Sequence, residues 1–128
     1  MKKLAILTCL RAAAGCCTGA GCLRALREHS GGFAPYGDEP LELLAQFHCN
    51  GCDHPLEGDA GMQEKIDCIL AMHPDAIHLG VCTLDRDNRR CPTIAAMTEI
   101  FMANGITVID GTHASKRIPD IGRPLTVK

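Results

Sequence analysis

The sequence predicts a single α/β domain built on a four-stranded parallel sheet. Its 128 residues match the size of one domain with its own core. Hydrophobic residues make up 46% of the chain and charged residues 22%, a usual globular composition. Short apolar runs alternate along the chain with segments of helical periodicity. This alternation is typical of parallel sheets whose connecting helices cover both faces.

The first half of the chain contains two predicted strands and one helix. Leu4–Leu7 is a continuous apolar run, as expected of a strand buried on both faces. Cys22–His29 is a short helical segment that Gly31 and Gly32 end. Leu41–Phe47 is the second strand, and it leads directly into a histidine and a cysteine.

The second half continues the same alternation with two more helices and strands. A buried face at helical spacing predicts a helix over Ala60–Met72, and Asp75–Val81 is the third strand. Pro92 suits the first turn of a helix over Thr93–Asn104, before the strand Ile106–Ile109. The order βαβαβαβ favours a flavodoxin-like or Rossmann-like sheet with helices on both faces.

The two ends of the chain are predicted to differ in structure. Residues 1–115 form the domain, and residues 116–128 form an irregular tail in which Pro119 and Pro124 disfavour a helix. Lys2 and the apolar residues after it have the outline of a signal peptide. Arg11 shortens that apolar stretch to about seven residues, the lower limit for such a signal. We therefore expect a first strand and a cytoplasmic protein.

Charge and aromatic content argue against two classes of partner. The net charge is −2, and the chain has three Phe, one Tyr and no Trp. Nucleic-acid binding usually needs a basic surface, and single-strand binding needs aromatic platforms, so we expect no nucleic-acid partner. No apolar run approaches the roughly 20 residues of a membrane helix, so we expect no membrane partner.

Nine cysteines are the unusual feature of the composition, and several follow predicted strands. The carboxyl ends of parallel strands meet at one edge of a sheet, where open α/β sheets bind ligands. Loops at this edge carry Cys9, Cys49, Cys52, Cys82, Cys91 and His113. Cys22 and Cys68, within helices, are expected to be inert packing residues. The placement of the others predicts one metal site bound by cysteines and a histidine.

The C-x-x-C at Cys49 and Cys52 is the predicted anchor of that site. Asn50 and Gly51 both tolerate positive φ, so a tight turn can bring two sulfurs to one centre. Zinc, which needs four Cys or His ligands, is the expected metal, and His48 is a spare ligand. Nearby arginines are expected to compensate the thiolate charge. These are Arg11, Arg86, Arg89 and Arg90.

The same residues resemble the CGGC-domain family of small prokaryotic proteins over about Lys3–Ser115. Shared features include Cys9, Cys17 with Thr18 and Gly19, the C-x-x-C, Gly80-Val81-Cys82, Cys91-Pro92 and Thr112-His113. The resemblance implies zinc binding, a role inferred from the family's cysteines and histidines, and it adds Cys17 to the ligand set. The chain departs from the family motif at Asn50. Either Cys16 or Cys17 could occupy the family's position.

Two alternative functions remain open from the sequence. Cys49 and Cys52 could perform thiol–disulfide or sulfur-transfer chemistry, which would make the protein an enzyme. A cysteine-rich edge can also hold an iron–sulfur cluster. A cluster is coloured and zinc is not, so a visible spectrum would distinguish them.

Overall fold

The chain forms four parallel strands and four α-helices in a computed structural model that describes residues 1–52 and 54–126. The strands are β1 (Lys2–Thr8), β2 (Leu41–His48), β3 (Ala76–Leu79) and β4 (Thr107–Asp110). The helices are α1 (Leu10–Gly15), α2 (Ala20–Glu28), α3 (Ala60–Met72) and α4 (Pro92–Ala103). Two 3-10 helices lie at Gly31–Tyr36 and Val81–Thr83.

All strand pairs in the sheet are parallel, and the strand order is β2-β1-β3-β4. This confirms the predicted four-stranded α/β domain. The order reverses between β1 and β3, where loops from both strands leave the carboxyl edge. Leu4–Leu7 of β1 are fully buried, as a strand covered on both faces requires. A flavodoxin-like description stays a prediction, since that order is defined by five strands.

Helices cover both faces of the sheet, and each face has its own hydrophobic core. Ala5 and Leu7 of β1 pack with α3 and α4 on one face. Leu4 and Ile6 pack on the other face with α2 and with Phe33 of the first 3-10 helix. The alternation of β1 side chains therefore divides the molecule into an α3/α4 face and an α2 face.

A β-bulge shifts the pairing of β2 with β1. Leu4 pairs with Leu43, but Ala5 pairs with Ala45, so Leu44 is the extra residue on β2. Leu43 consequently packs on the α2 face, whereas Ala45 packs on the α3/α4 face. A one-residue shift exchanges the faces of every later side chain in a strand. The bulge therefore determines the face of the sheet on which each residue at the end of β2 lies.

Local sequence signals mark the start of α3 and of α4, whereas the sequence analysis missed α1. The Asp59 carboxylate accepts the Met62 N–H at 3.0 Å and caps α3. Pro92 occupies the first turn of α4 as predicted. The six-residue α1 was not predicted, because it directly follows β1 without a turn signal. Among the described residues, no helix has the length and apolar character needed to cross a membrane.

The C-terminal segment has no helix or strand over residues 116–126, and it packs on the outer edge of β4. The Asp110 N–H donates to the Arg123 carbonyl, and the Leu125 N–H donates to the Val108 carbonyl. Ile118 is buried at 4% exposure. The segment thus contributes to the core, while residues 127 and 128 of the predicted tail lie outside the described residues.

Candidate functional site

A pocket of about 180 Å³ lies at the carboxyl edge of the sheet, on the α2 face. Its wall comes from the ends of β1 and β2, from α1, from the α1–α2 loop and from the loop after β3. Three thiols and one imidazole contribute to it. The lining residues are Thr8, Cys9, Ala12, Ala13, Cys17, Thr18, Gly19, Gln46, His48 and Cys82.

Cys9 and Cys82 meet because β1 and β3 are adjacent parallel strands. The Cys9 backbone N–H donates to the Cys82 Sγ at 3.3 Å. A Cβ at Gly80 would lie 3.3 Å from that sulfur, so the glycine leaves room for it. Burial raises the pKa of the Cys82 thiol, the Cys9 N–H lowers it, and the nearby thiols of Cys9, Cys17 and Cys22 raise it further. Cys82 is therefore mainly a neutral thiol in the unliganded protein.

Cys17 enters the pocket from the loop between α1 and α2. Its Sγ accepts the backbone N–H of Gly19 at 3.4 Å. Gly19 has φ +77°, a left-handed conformation that glycine adopts without strain. A Cβ at Gly19 would also lie 2.7 Å from the Gln46 side-chain nitrogen. Gly19 therefore permits both the turn that directs an N–H at Cys17 and the close approach of Gln46.

His48 is the last residue of β2 and pairs with Thr8 of β1. Its Nδ1 lies 2.9 Å from the Cys49 carbonyl oxygen, so Nδ1 carries the proton and donates to it. In the tautomer with this donor, Nε2 is the ring nitrogen that can bind a metal ion. Metal-binding histidines usually show this arrangement, with the second ring nitrogen held by a carbonyl or carboxylate.

The two cysteines of the C-x-x-C lie in different environments. Cys49 is 4% exposed and belongs to the hydrophobic core of the α3/α4 face. Cys52 is exposed, and its Sγ lies 3.8 Å from the Arg11 Nη1. Gly51 between them has φ +107°. Neither cysteine lines the pocket, so the predicted anchor lies apart from the three thiols that the fold brings together.

Asn50, where the chain departs from the motif it resembles, fixes the C-x-x-C loop to α3. Its Nδ2 donates to Asp59 at 3.3 Å, and its Oδ1 accepts from Lys65 Nζ at 2.6 Å. A Cβ at Gly61 would lie 2.9 Å from the Asn50 Nδ2. The Met62 N–H, followed by His54 and Asn50, lowers the pKa of Asp59. The Asn50 side chain therefore has a structural role in this chain.

The remaining predicted ligands also lie outside the pocket wall. Cys91 precedes α4, donates its N–H to the Thr83 carbonyl at 2.9 Å and packs against the α3/α4 core. The His113 ring packs beside α2, where a Cβ at Gly21 would lie 3.2 Å from it. Its Nδ1 lies 3.2 Å from the Ala114 carbonyl oxygen.

The prediction that two helical cysteines are inert packing residues is confirmed for Cys22 and wrong for Cys68. Cys22 is 4% exposed and its Sγ lies 3.0 Å from the Thr112 hydroxyl, which confirms its packing role. Burial raises the pKa of this thiol, although its hydrogen bond with Thr112 lowers it. The packing assignment of Cys68 was wrong, because its side chain on α3 is exposed. Met62, Ile66 and Ile69 form the buried face of that helix instead.

Of the arginines expected to compensate the thiolates, Arg11 reaches Cys52, and none lines this pocket. Arg90 pairs with Asp110 at 2.6 Å, and both side chains are more than four-fifths buried. Arg11 approaches Cys52, and Arg86 and Arg89 are exposed. The described residues that line the pocket include no lysine, arginine, aspartate or glutamate. Within the described part of the chain, the donors that reach pocket sulfurs are the backbone N–H groups of Cys9 and Gly19.

The ligand types in the pocket suit zinc, but their side chains must move to bind the ion. Three thiols and one imidazole make a Cys₃His set, one of the usual structural zinc sites. Within residues 1–52 and 54–126, no three His, Cys, Asp or Glu side chains already stand at positions that could hold a metal ion. Cys17 lies on a loop and is exposed, so its thiol is the one most able to move.

Sequence reasoning missed Thr8, Thr18 and Gln46 as pocket residues and treated His48 as a spare ligand. One available signal was the end of β2, since a parallel partner of β1 places its last residue beside Thr8. The bulge that turns His48 toward the α2 face has no such signal.

The family model of the CGGC domain matches residues 3–113, which is most of the chain. No curated protein and no solved structure shows significant similarity to the chain.

Proposed function

The chain belongs to the CGGC-domain family, and we propose that it binds a zinc ion in the pocket through Cys9, Cys17, Cys82 and His48. The observation that carries the proposal is that these four side chains line one small cavity although they come from four separate segments. Zinc bound there would supply a charge that holds the thiolates together.

Hydrogen bonding around the pocket supports metal binding. The N–H groups of Cys9 and Gly19 point at two of the sulfurs and would stabilise them as thiolates. The Cys49 carbonyl holds the His48 ring with its Nε2 available. These contacts orient the ligand groups, although the side chains must still move together to bind a metal ion.

Zinc titration of the reduced, metal-free protein tests the proposal. We expect one zinc per chain in the wild type and at least about tenfold weaker binding in Cys17→Ser and His48→Gln, since loss of even an outer partner weakens metal binding 10–100-fold. Cys16→Ser is the matched control, because Cys16 is exposed and does not line the pocket. Equal zinc affinity in Cys17→Ser and Cys16→Ser would refute this ligand set.

A thiol–disulfide function is a second candidate, favoured by the contact between Cys9 and Cys82. The Cys82 sulfur lies 3.3 Å from the Cys9 backbone nitrogen and both cysteines line the pocket, so a small disulfide could oxidise the pair to a Cys9–Cys82 disulfide and itself be reduced to two thiols. Non-reducing peptide mapping after treatment with oxidised glutathione tests it. A Cys9–Cys82 crosslink that thioredoxin reduces would support redox chemistry, whereas mixed disulfides at exposed cysteines would count against it.

The other expectations about cofactor and location stay proposals. An iron–sulfur cluster usually takes four cysteine thiolates, and the pocket wall provides three, so zinc is preferred. All nine cysteines are free thiols, which suits the reducing cytoplasm. A colourless protein after anaerobic purification would support zinc over a cluster.

A further inference from the structure

We propose that the pocket binds trivalent arsenic or antimony oxyacids through the thiols of Cys9, Cys17 and Cys82 alone. The inference rests on the proposed function, because both proposals assign ligand binding to the same thiols. It differs in the chemical class of the ligand and in the role of His48. The two ligands would compete for one site.

The donor set of the pocket carries this inference. Three thiols from separate segments share a cavity of about 180 Å³. Its other polar side chains are two threonine hydroxyls, the Gln46 amide and the His48 imidazole. Soft thiolate ligands select soft ions, whereas carboxylates favour hard ones, and no described carboxylate lines the pocket. The pocket wall therefore provides the ligands that a thiophilic ion prefers and few of the ligands that a hard cation prefers.

Charge balance favours a trivalent centre with three thiolates. A zinc ion with three thiolates and a neutral imidazole leaves one net negative charge, whereas trivalent arsenic with three thiolates is neutral. The described lining contains no lysine or arginine to offset a negative charge. A charge that is half-buried without a partner is unfavourable. A neutral trithiolate complex suits this wall without any compensating group.

The binding reaction needs no redox partner. Arsenous acid, As(OH)₃, exchanges its three hydroxyl groups for three thiols. Each step breaks one As–O bond, forms one As–S bond and passes the thiol proton to the departing hydroxide as water. Arsenic stays trivalent, so no electrons are transferred. The Cys9 N–H would keep its hydrogen bond to the Cys82 sulfur, while the exposed Cys17 thiol moves to complete the site.

Direct binding of arsenite to the reduced full-length protein tests the inference. We expect one arsenic per chain by mass spectrometry and three sulfur neighbours by X-ray absorption. Cys17→Ser should weaken binding by more than about tenfold, because loss of one ligand exceeds the loss of an outer partner. Cys16→Ser and Cys68→Ser, at exposed cysteines outside the pocket wall, should bind arsenite as the wild type does.

His48→Gln separates this inference from the proposed function. We expect the variant to lose zinc affinity but to keep arsenite affinity. Arsenite binding without zinc binding in the wild type would support the inference and refute the zinc proposal. Zinc binding without arsenite binding would support the zinc proposal and refute the inference. An arsenic centre with two sulfur neighbours, unchanged arsenite affinity in Cys17→Ser, or equal loss of both ligands in His48→Gln would overturn the inference.

Discussion

The Tyr36 hydroxyl lies 2.8 Å from Nε2 of His78, a fully buried histidine on β3. The other ring nitrogen, Nδ1, lies 3.0 Å from the Gly111 carbonyl oxygen. Because a carbonyl can only accept, Nδ1 carries the proton and Nε2 accepts from Tyr36. Phe33 stacks on the ring at a centroid distance of 4.3 Å. The histidine is thus held neutral within the α2 face.

This neutral histidine predicts loss of stability in acid. Burial lowers the pKa of His78 from 6.5 to about 4, although the Gly111 hydrogen bond opposes that shift. The unfolded chain therefore binds more protons than the folded chain between these values. The contribution of His78 to the free energy of unfolding is fully present above about pH 6.5. It is lost as the pH falls toward 4, by about 3 kcal/mol in total. Urea unfolding at pH 7, 5.5 and 4.5 measures the loss.

His78→Gln is the control for this prediction. The variant will be less stable at pH 7, but its stability should change less with pH because the titrating group is gone. Asp75 and Glu39, which lie near Tyr36, are present in both proteins, so their contribution cancels in the comparison. Parallel curves for the two proteins would show that another group causes the acid sensitivity.

Tyr36→Phe should destabilise the protein at neutral pH. The substitution keeps the ring and removes the O–H that donates to His78 Nε2. A buried acceptor without a donor lowers stability by about 1–3 kcal/mol. Thermal or urea unfolding at pH 7 measures the difference. A change below about 0.3 kcal/mol would mean that water replaces the hydroxyl.

Gly32→Ala should destabilise the protein far more than Gly15→Ala. A Cβ at Gly32 would overlap the Gly111 carbonyl, which is backbone and cannot easily move. We expect a loss of about 2–3 kcal/mol from this overpacking. A Cβ at Gly15, at the end of α1, meets no atom within 4 Å. Alanine there should be neutral or stabilise slightly. Equal melting temperatures for both variants would contradict the close approach at Gly32.

Alkylation of the metal-free protein should follow exposure of the cysteines. Cys16, Cys17, Cys52 and Cys68 are exposed and should react first, whereas Cys22 and Cys49 are each 4% exposed and should react last. Cys49 should therefore react after Cys68, although the C-x-x-C that contains it was the predicted anchor of the metal site. Peptide mapping after timed iodoacetamide treatment measures this order, and a Cys49 rate equal to that of Cys68 would contradict the structure.

Hydrophobic periodicity was sufficient to predict the sheet, because parallel strands are continuous apolar runs. Leu4–Leu7 is such a run, and the structure places it at the sheet centre. The carboxyl-edge position of Cys9 and Cys82 followed from the strand order alone. Strand–helix alternation therefore contains enough information to predict which loops share an edge.

Which side of that edge each residue occupies could not be predicted. The extra residue at Leu44 exchanges the faces of β2, so His48 enters the pocket while Cys49 enters the core behind it. The apolar sequence around Leu44 carries no mark of a bulge. The C-x-x-C was therefore assigned to the site because of its spacing, although its first cysteine lies on the opposite face.

Residues 123–125 run along the outer edge of β4 and restrict how two copies of this protein could associate. Because these residues occupy hydrogen-bonding groups of Val108 and Asp110, the outer side of β4 cannot accept a foreign strand. Pro124 faces β4 without an N–H to offer. Among the described residues, this contact covers one edge of the sheet against edge-to-edge association, and β2 forms the opposite edge.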